Sequence, residues 1–379
     1  MKDYQEINEK IRSGKAVVLT AEEVSAMAGT KSPRQVAEEV DVVTTGTFGP
    51  MCSSGMFLNV GHTDPPIRME DITLNGVPVH AGVAAVDMYI GATANHPSNP
   101  SYGGAHIIEE LIAGKDIELV AKGKGTDCYP LHEVRTHINK NTVNEMIMFN
   151  PRNAYQNYPV AVNTTGRTNY TYMGTLLPRL GNATFSTSGE LSPLLNDPEL
   201  RTIGVGTRIF LGGTTGYVSW NGTQFKTDVP RTDEMVPKVN AATIAVIGDA
   251  RNMSPDFIRA AYFEKYGVSI FIGIGIPIPV LDEEMAARLM IRNEQIITRI
   301  VDYGSVNKPV LGEVNYRDLF SGEIEIEGKK VRTASMSSLL KAREIAQILK
   351  DQISAGSFTL TEPVQAFPSN TSLHSLQIR

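Results

Sequence analysis

Residues 268–281 read VSIFIGIGIPIPVL, the most apolar run in the chain. Its reading decides whether this is a membrane protein or one built around a core strand. Fourteen residues interrupted by Gly and Pro fall short of the roughly 20 that a helix needs to cross a bilayer. VSIFIGIGI is therefore read as a strand. Working outward, TIAVIGD (243–249) is a second buried strand, and Ser254-Pro255 predicts a helix running to about Tyr266. LDEEMAARLMI (281–291) is a helix and EIEIEGKKVRTA (323–334) a hairpin. SSLLKAREIAQILKDQISAG (337–356) is the longest helix, ended by Gly356. From residue 241 strands and helices alternate, which predicts an α/β or mixed α+β fold.

Toward the N-terminus the signals are local and specific. Thr20 and Glu23 make a capping box after the strand AVVLT, and Ser32-Pro33 opens another helix. VVTTGTF (42–48) reads as a strand, and Asn75-Gly76 as the turn of a hairpin within 67–82. GGAHIIEELIAG (103–114) is an amphipathic helix followed by the strand DIELVAK. The middle, 150–240, is rich in Gly, Asn, Thr and Tyr, suiting short strands in mixed sheets joined by tight turns. Residues 1–360 read as one large region with room for a subdomain break near 240, and 361–379 as a flexible tail.

Composition narrows the function. Apolar residues make up 41% and charged residues 20%, with a net charge of -6. This is a globular balance, and no Lys/Arg run offers a face for nucleic acid. The start, MKDYQEINEKIRSGK, lacks the apolar segment of a signal peptide, so a cytoplasmic location is expected. Two cysteines make no disulfide framework. They are quiet core residues or reagents.

Six of the seven histidines fall between residues 52 and 137, as do both cysteines. Thiols and imidazoles are the groups that ionise near neutral pH, so this window is where chemistry is expected. Cys128, in AKGKGTDCYPLHE, follows a strand and lies near Lys122, Lys124 and His132 in sequence. Nearby cations stabilise a thiolate, which favours a reactive thiol over a small core hydrophobe. Cys52, in GPMCSSG, sits where turn backbone N–H groups can face an anion. A metal site from Cys52, His62 and Asp64 has suitable ligand types but no supporting spacing. His80 and His132 are candidate proton carriers. Arg152 and Arg208 are candidate clamps for a substrate carboxylate. The Gly-rich 204–222 segment matches no phosphate-binding pattern.

Several long, irregular stretches carry a family resemblance: VVTTGTFGPMCSSGMFLN (42–59), YGGAHIIEELIAGK (102–115), KGTDCYP (124–130), NPRNAYQNYPVAVN (150–163) and SGELSPLLNDP (188–198). With GVAAVDMYIGATA, TYMGTLLPRLGNA and GTRIFLGG, they resemble the archaeal and bacterial homocysteine-biosynthesis family from about residue 5 to 360. The resemblance implies a sulfurtransferase that replaces the aldehyde oxygen of L-aspartate semialdehyde with sulfide sulfur, followed by reduction to L-homocysteine. It implies that Cys128 carries the sulfur as a persulfide and that Cys52 exchanges with it. Electrons are expected from a separate ferredoxin-like iron–sulfur protein, since two cysteines cannot hold such a cluster. No cofactor is expected to bind tightly, a homo-oligomer is expected, and the CBS modules of larger members are expected to be absent. Two other classes stay open: a Cys-dependent hydrolase or acyl transferase, and a non-catalytic thiol redox sensor.

Overall fold

A computed structural model describes residues 1–378. The stretch quoted first is the strand Gly267–Gly275, which sits inside a nine-stranded sheet. That sheet runs from Ile258–Phe263 through Gly267–Gly275, Arg208–Leu211, Thr214–Asn221, Ile244–Asp249, Glu145–Asn153 and Gly55–Asn59 to Asp87–Gly91. Thr47–Pro50 adds to Gly267–Gly275 off this path. Every pairing in it is antiparallel. The continuous apolar run is explained by burial: Val268, Ile270, Ile272, Ile274 and Ile276 are all covered.

Their neighbours form one core. It joins the nine-stranded sheet to the helix Gly104–Ile112 and to a four-stranded sheet holding Asp71–Leu74, Val77–Val79, Ile117–Lys122 and Glu133–Ile138. A six-stranded mixed sheet, including Val160–Val162, Ala183–Phe185 and Ile297–Asp302, carries its own core. The helix Leu339–Ser354 lies against the Thr47–Pro50 and Gly267–Gly275 strands. The fold is mixed α/β, and in the C-terminal part helices alternate with strand pairs.

The sequence punctuation holds at most places. The predicted capping box forms at Thr20/Glu23, and Ser32, predicted to open a helix ahead of Pro33, does so as the N-cap and closes a second box with Gln35. Asn75 and Gly76 adopt φ of 44° and 78°, the left-handed pair that a two-residue hairpin turn requires. Gly114 and Gly356, at 80° and 74°, end their helices in the same region.

One predicted element is wrong. Ser254-Pro255 opens a turn, not a helix: Phe257 N–H bonds the Ser254 carbonyl, and the chain enters the strand Ile258–Phe263. That strand pairs residue by residue with 267–272. This ladder outweighs a local helix-start signal. The segment expected to be loose also keeps contacts as far as Thr371. Val364 and Val205 bond through the backbone, Phe367 meets Phe225 edge-on, and Thr371 pairs with Thr227.

Candidate functional site

The Thr47–Pro50 strand delivers Cys52 to a tight turn. Met51 N–H still bonds the Ile270 carbonyl at 2.7 Å, continuing the Pro50–Phe271 register and bringing Cys52 level with Ser269. The chain then reverses. Ser54 N–H and Oγ both donate to the Met51 carbonyl, at 3.0 and 2.6 Å. Gly55 follows because a Cβ there would collide with the Tyr89 hydroxyl.

Ser53 ties this turn to the neighbouring strand, its hydroxyl donating to Asn150 Oδ1 and to the Arg152 carbonyl, both at 3.0 Å. Asn150 Oδ1 also accepts from Arg152 N–H at 2.8 Å. The pairing of Glu145–Asn153 with Ile244–Asp249 shifts register between Asn150 and Asn153. Such a bulge re-aims side chains, and Arg152 lines the same cavity as Cys52.

That cavity has a volume of about 350 Å³, within the range of about 300–1,000 Å³ typical of small-molecule sites. Its walls include Thr47, Gly49, Tyr155, Tyr158, Tyr172 and Tyr266, with Ser186, Thr187, Ser192 and Ser269. No His, Asp or Glu lines it among the described residues. Among the described residues its one charge is Arg152. Burial pushes the Cys52 thiol up, while the Arg152 guanidinium and the backbone N–H groups of Cys52 and Ser53 pull it the other way. Burial also raises Tyr155, Tyr158 and Tyr266, keeping these phenols protonated. Four buried polar atoms of Ser269, Asn150 and Asn153 have no protein partner: Ser269 Oγ, Asn150 Nδ2, Asn153 Nδ2 and Asn153 Oδ1.

The other residues singled out from sequence lie elsewhere. Cys128 is exposed at the tip of a turn closed between Thr126 and Tyr129, and Lys124 beside it pairs with Glu70 at 3.3 Å. His132 is exposed and lies over Gly125. His80 is exposed and stacks on Tyr89. Arg208 lies over the Phe358 ring at 4.4 Å and donates to Thr359 Oγ1 at 3.3 Å. Of the six, the cavity brings together Cys52 and Arg152 only.

Tyr129, next to Cys128, stacks on His62. Cys52 precedes the Gly55–Asn59 strand and His62 follows it. Both thiols are free; Cys52 lines the cavity and Cys128 does not. No cluster of three or more His, Cys, Asp or Glu suited to a metal occurs among the described residues. Nor is any helix there long and apolar enough to cross a membrane.

A thiol, one guanidinium and a ring of phenols surround this small cavity. Residues 16–360 match the family described as "Homocysteine biosynthesis enzyme, sulfur-incorporation", and the chain belongs to it. It is 46% identical to the L-aspartate semialdehyde sulfurtransferase of Methanosarcina acetivorans, over 99% of this chain and 74% of that protein. It is 49% identical to the protein of the same name in Methanocaldococcus jannaschii, over 96% of this chain and 73% of that one. A Methanothermobacter thermautotrophicus protein without an assigned function is 28% identical, over 89% of this chain and 76% of its own. No solved structure matches the chain.

Proposed function

We propose that this enzyme makes L-homocysteine from L-aspartate semialdehyde and sulfide, with a cysteine holding the sulfur as a persulfide. The observation that supports this most is Cys52, a thiol opening into a cavity whose only charge is a guanidinium. Arg152 would hold the substrate carboxylate, leaving the aldehyde carbon to meet the sulfur. The exposed Cys128 suits exchange with a sulfur donor or reductant arriving from solution.

Counted from sulfide, the reaction takes the aldehyde, one hydrogen sulfide, two electrons and two protons to thiol and water. The persulfide stage takes its sulfur from a polysulfide, whose S–S bond breaks as the cysteine thiolate attacks and leaves it one sulfur shorter; reductive cleavage of the Cys–S–S bond then draws two further electrons from the external reductant. Two cysteines cannot hold an iron–sulfur cluster, so the electrons come from outside, and a small iron–sulfur protein fits that role. The hydrolase reading loses support because the cavity offers no imidazole or carboxylate to act as base.

The test is intact-protein mass spectrometry after treatment with polysulfide, with peptide mapping, beside an assay for homocysteine. One added sulfur on Cys52, and loss of homocysteine formation in Cys52→Ser, are expected. Full activity in Cys52→Ser would overturn the assignment.

A further inference from the structure

Adding sulfur to an aldehyde puts charge on the carbonyl oxygen, and that oxygen must later leave as water. Both events need protons. Among the described residues the cavity supplies none of the usual donors, having no imidazole, carboxyl or ammonium group on its walls. What it has instead is a chain of phenols. Tyr158 Oη bonds Tyr172 Oη at 3.1 Å, and Tyr172 Oη bonds Tyr303 Oη at 3.0 Å. Tyr158 and Tyr172 line the cavity. Tyr303 stands behind them, half-buried, with the exposed Lys308 ammonium 4.8 Å from its ring centre.

Tyr158 enters from the segment before the strand Val160–Val162, and Tyr172 from the turn of the hairpin 169–176. Tyr303 follows the strand Ile297–Asp302. Three separate segments thus converge on one line of hydroxyls. Three phenols hold three hydroxyl protons, but the chain uses only two of them in its own bonds. The third is free. Tyr158 donates to Tyr172, and the Tyr172–Tyr303 link reads in either direction; with Tyr303 donating, the Tyr172 hydroxyl keeps its own proton free for the cavity. A fully buried structural hydroxyl would instead end on a carbonyl or carboxylate acceptor.

We propose that Tyr158, Tyr172 and Tyr303 form a proton relay that acts as the general acid of the sulfur-addition step. The C–S bond forms as the carbonyl π pair moves onto oxygen. That oxygen takes a proton from Tyr172, and Tyr303 restores it from solvent. No oxidant or reductant enters this addition step. Once the external reductant has cleaved the S–S bond, the freed thiolate forms a C=S bond as the oxygen departs as water, and the same chain, recharged, delivers that second proton. The inference rests on the sulfur-transfer reading above.

The experiment compares Tyr172→Phe, Tyr303→Phe and wild type, supplied with L-aspartate semialdehyde, polysulfide and a chemical reductant for turnover, and with polysulfide alone for Cys52 loading. Phe keeps the ring and removes only the relay hydroxyl. Loss of a positioned general acid typically costs about 10²–10⁴-fold. Tyr172→Phe should therefore lower kcat by at least about 10²-fold, with KM for the aldehyde within a few-fold. Sulfur loading of Cys52, read by mass, should be unchanged. Tyr303→Phe should lower kcat less and alter the solvent deuterium isotope effect. Wild-type kcat in Tyr172→Phe, or equal losses of kcat and Cys52 loading in both variants, would overturn the relay. If wild type itself fails to load Cys52, the sulfur-transfer reading falls instead, so the two failures are distinguishable.

Discussion

Replacing Arg152 by Met tests the substrate end of the site. Arg152 is held by its backbone, through N–H to Asn150 Oδ1 and its carbonyl to Ser53 Oγ. Its side chain can therefore be changed without unfastening the Cys52 turn. Met keeps the stem and removes the only charge in the cavity. A hydrogen bond to a charged group contributes roughly 1.5–3 kcal/mol, and each 1.36 kcal/mol is about a factor of ten. The expected loss in kcat/KM is thus about 10- to 150-fold, mostly in KM. The thiol should respond too, because the guanidinium is the largest of the influences lowering it against burial. At fixed pH, alkylation of Cys52 by iodoacetamide, read by peptide mapping, should slow in the variant. An aldehyde lacking the α-carboxylate should lose its disadvantage against the natural substrate. If KM for L-aspartate semialdehyde stays at the wild-type value, Arg152 does not hold the carboxylate. If alkylation also stays unchanged, the electrostatic account of Cys52 fails.

Burial raises the Cys52 thiol, so less of it is ionised at neutral pH than in a free cysteine. Its alkylation rate should climb with pH and inflect above the ordinary value of about 8.5; an inflection below that would refute the ordering of causes. Cys128→Ser should slow turnover driven by sulfide in solution but spare a single turnover from a Cys52 already loaded with sulfur. Loss of the single turnover would put Cys128 in the chemical step itself. Ser269→Ala removes a buried hydroxyl that has no partner, and leaving such a group unpaired costs about 1–3 kcal/mol. The variant should melt at an equal or higher temperature while kcat/KM falls; lower stability with unchanged activity would show that Ser269 serves the fold.

Much of the fold was readable because its signals are local. Thr20/Glu23, Ser32-Pro33, Asn75-Gly76, Gly114 and Gly356 each mark a backbone change that depends on their own chemistry. The Ser254-Pro255 signal was as clear, and it failed because Ile258–Phe263 finds its partner in a strand that follows it. The site was harder for the same reason. Lys122, Lys124 and His132 crowd Cys128 in sequence, yet the loop turns that thiol outward and Lys124 joins Glu70. Cys52 had the weaker local setting and received the cavity. The Tyr-rich texture of residues 150–175 was visible, but nothing local says that Tyr158 and Tyr172 meet Tyr303, more than a hundred residues away.

The placement of the two thiols suggests why one chain would keep both. A thiol that faces solvent meets donors and reductants readily, but a persulfide left there is open to any passing thiol. A thiol in a nearly uncharged cavity is protected, and burial makes it a weaker acid than usual. Protection comes at the expense of thiolate at neutral pH. Arg152 and the turn's backbone N–H groups offset part of that loss at the sulfur, while burial keeps Tyr158 and Tyr303 protonated. Opposite demands on acidity are thus met within one small space: donors aimed at sulfur favour its anion, and neutral hydroxyls face the place where the carbonyl oxygen gains charge. A carboxylate or imidazole in the wall would work against this division, since a carboxylate would repel the thiolate and a neutral imidazole would accept protons that the oxygen needs. The absence of both from the lining among the described residues is what makes the phenols and Arg152, rather than the exposed histidines, the groups on which sulfur transfer to an aldehyde would depend.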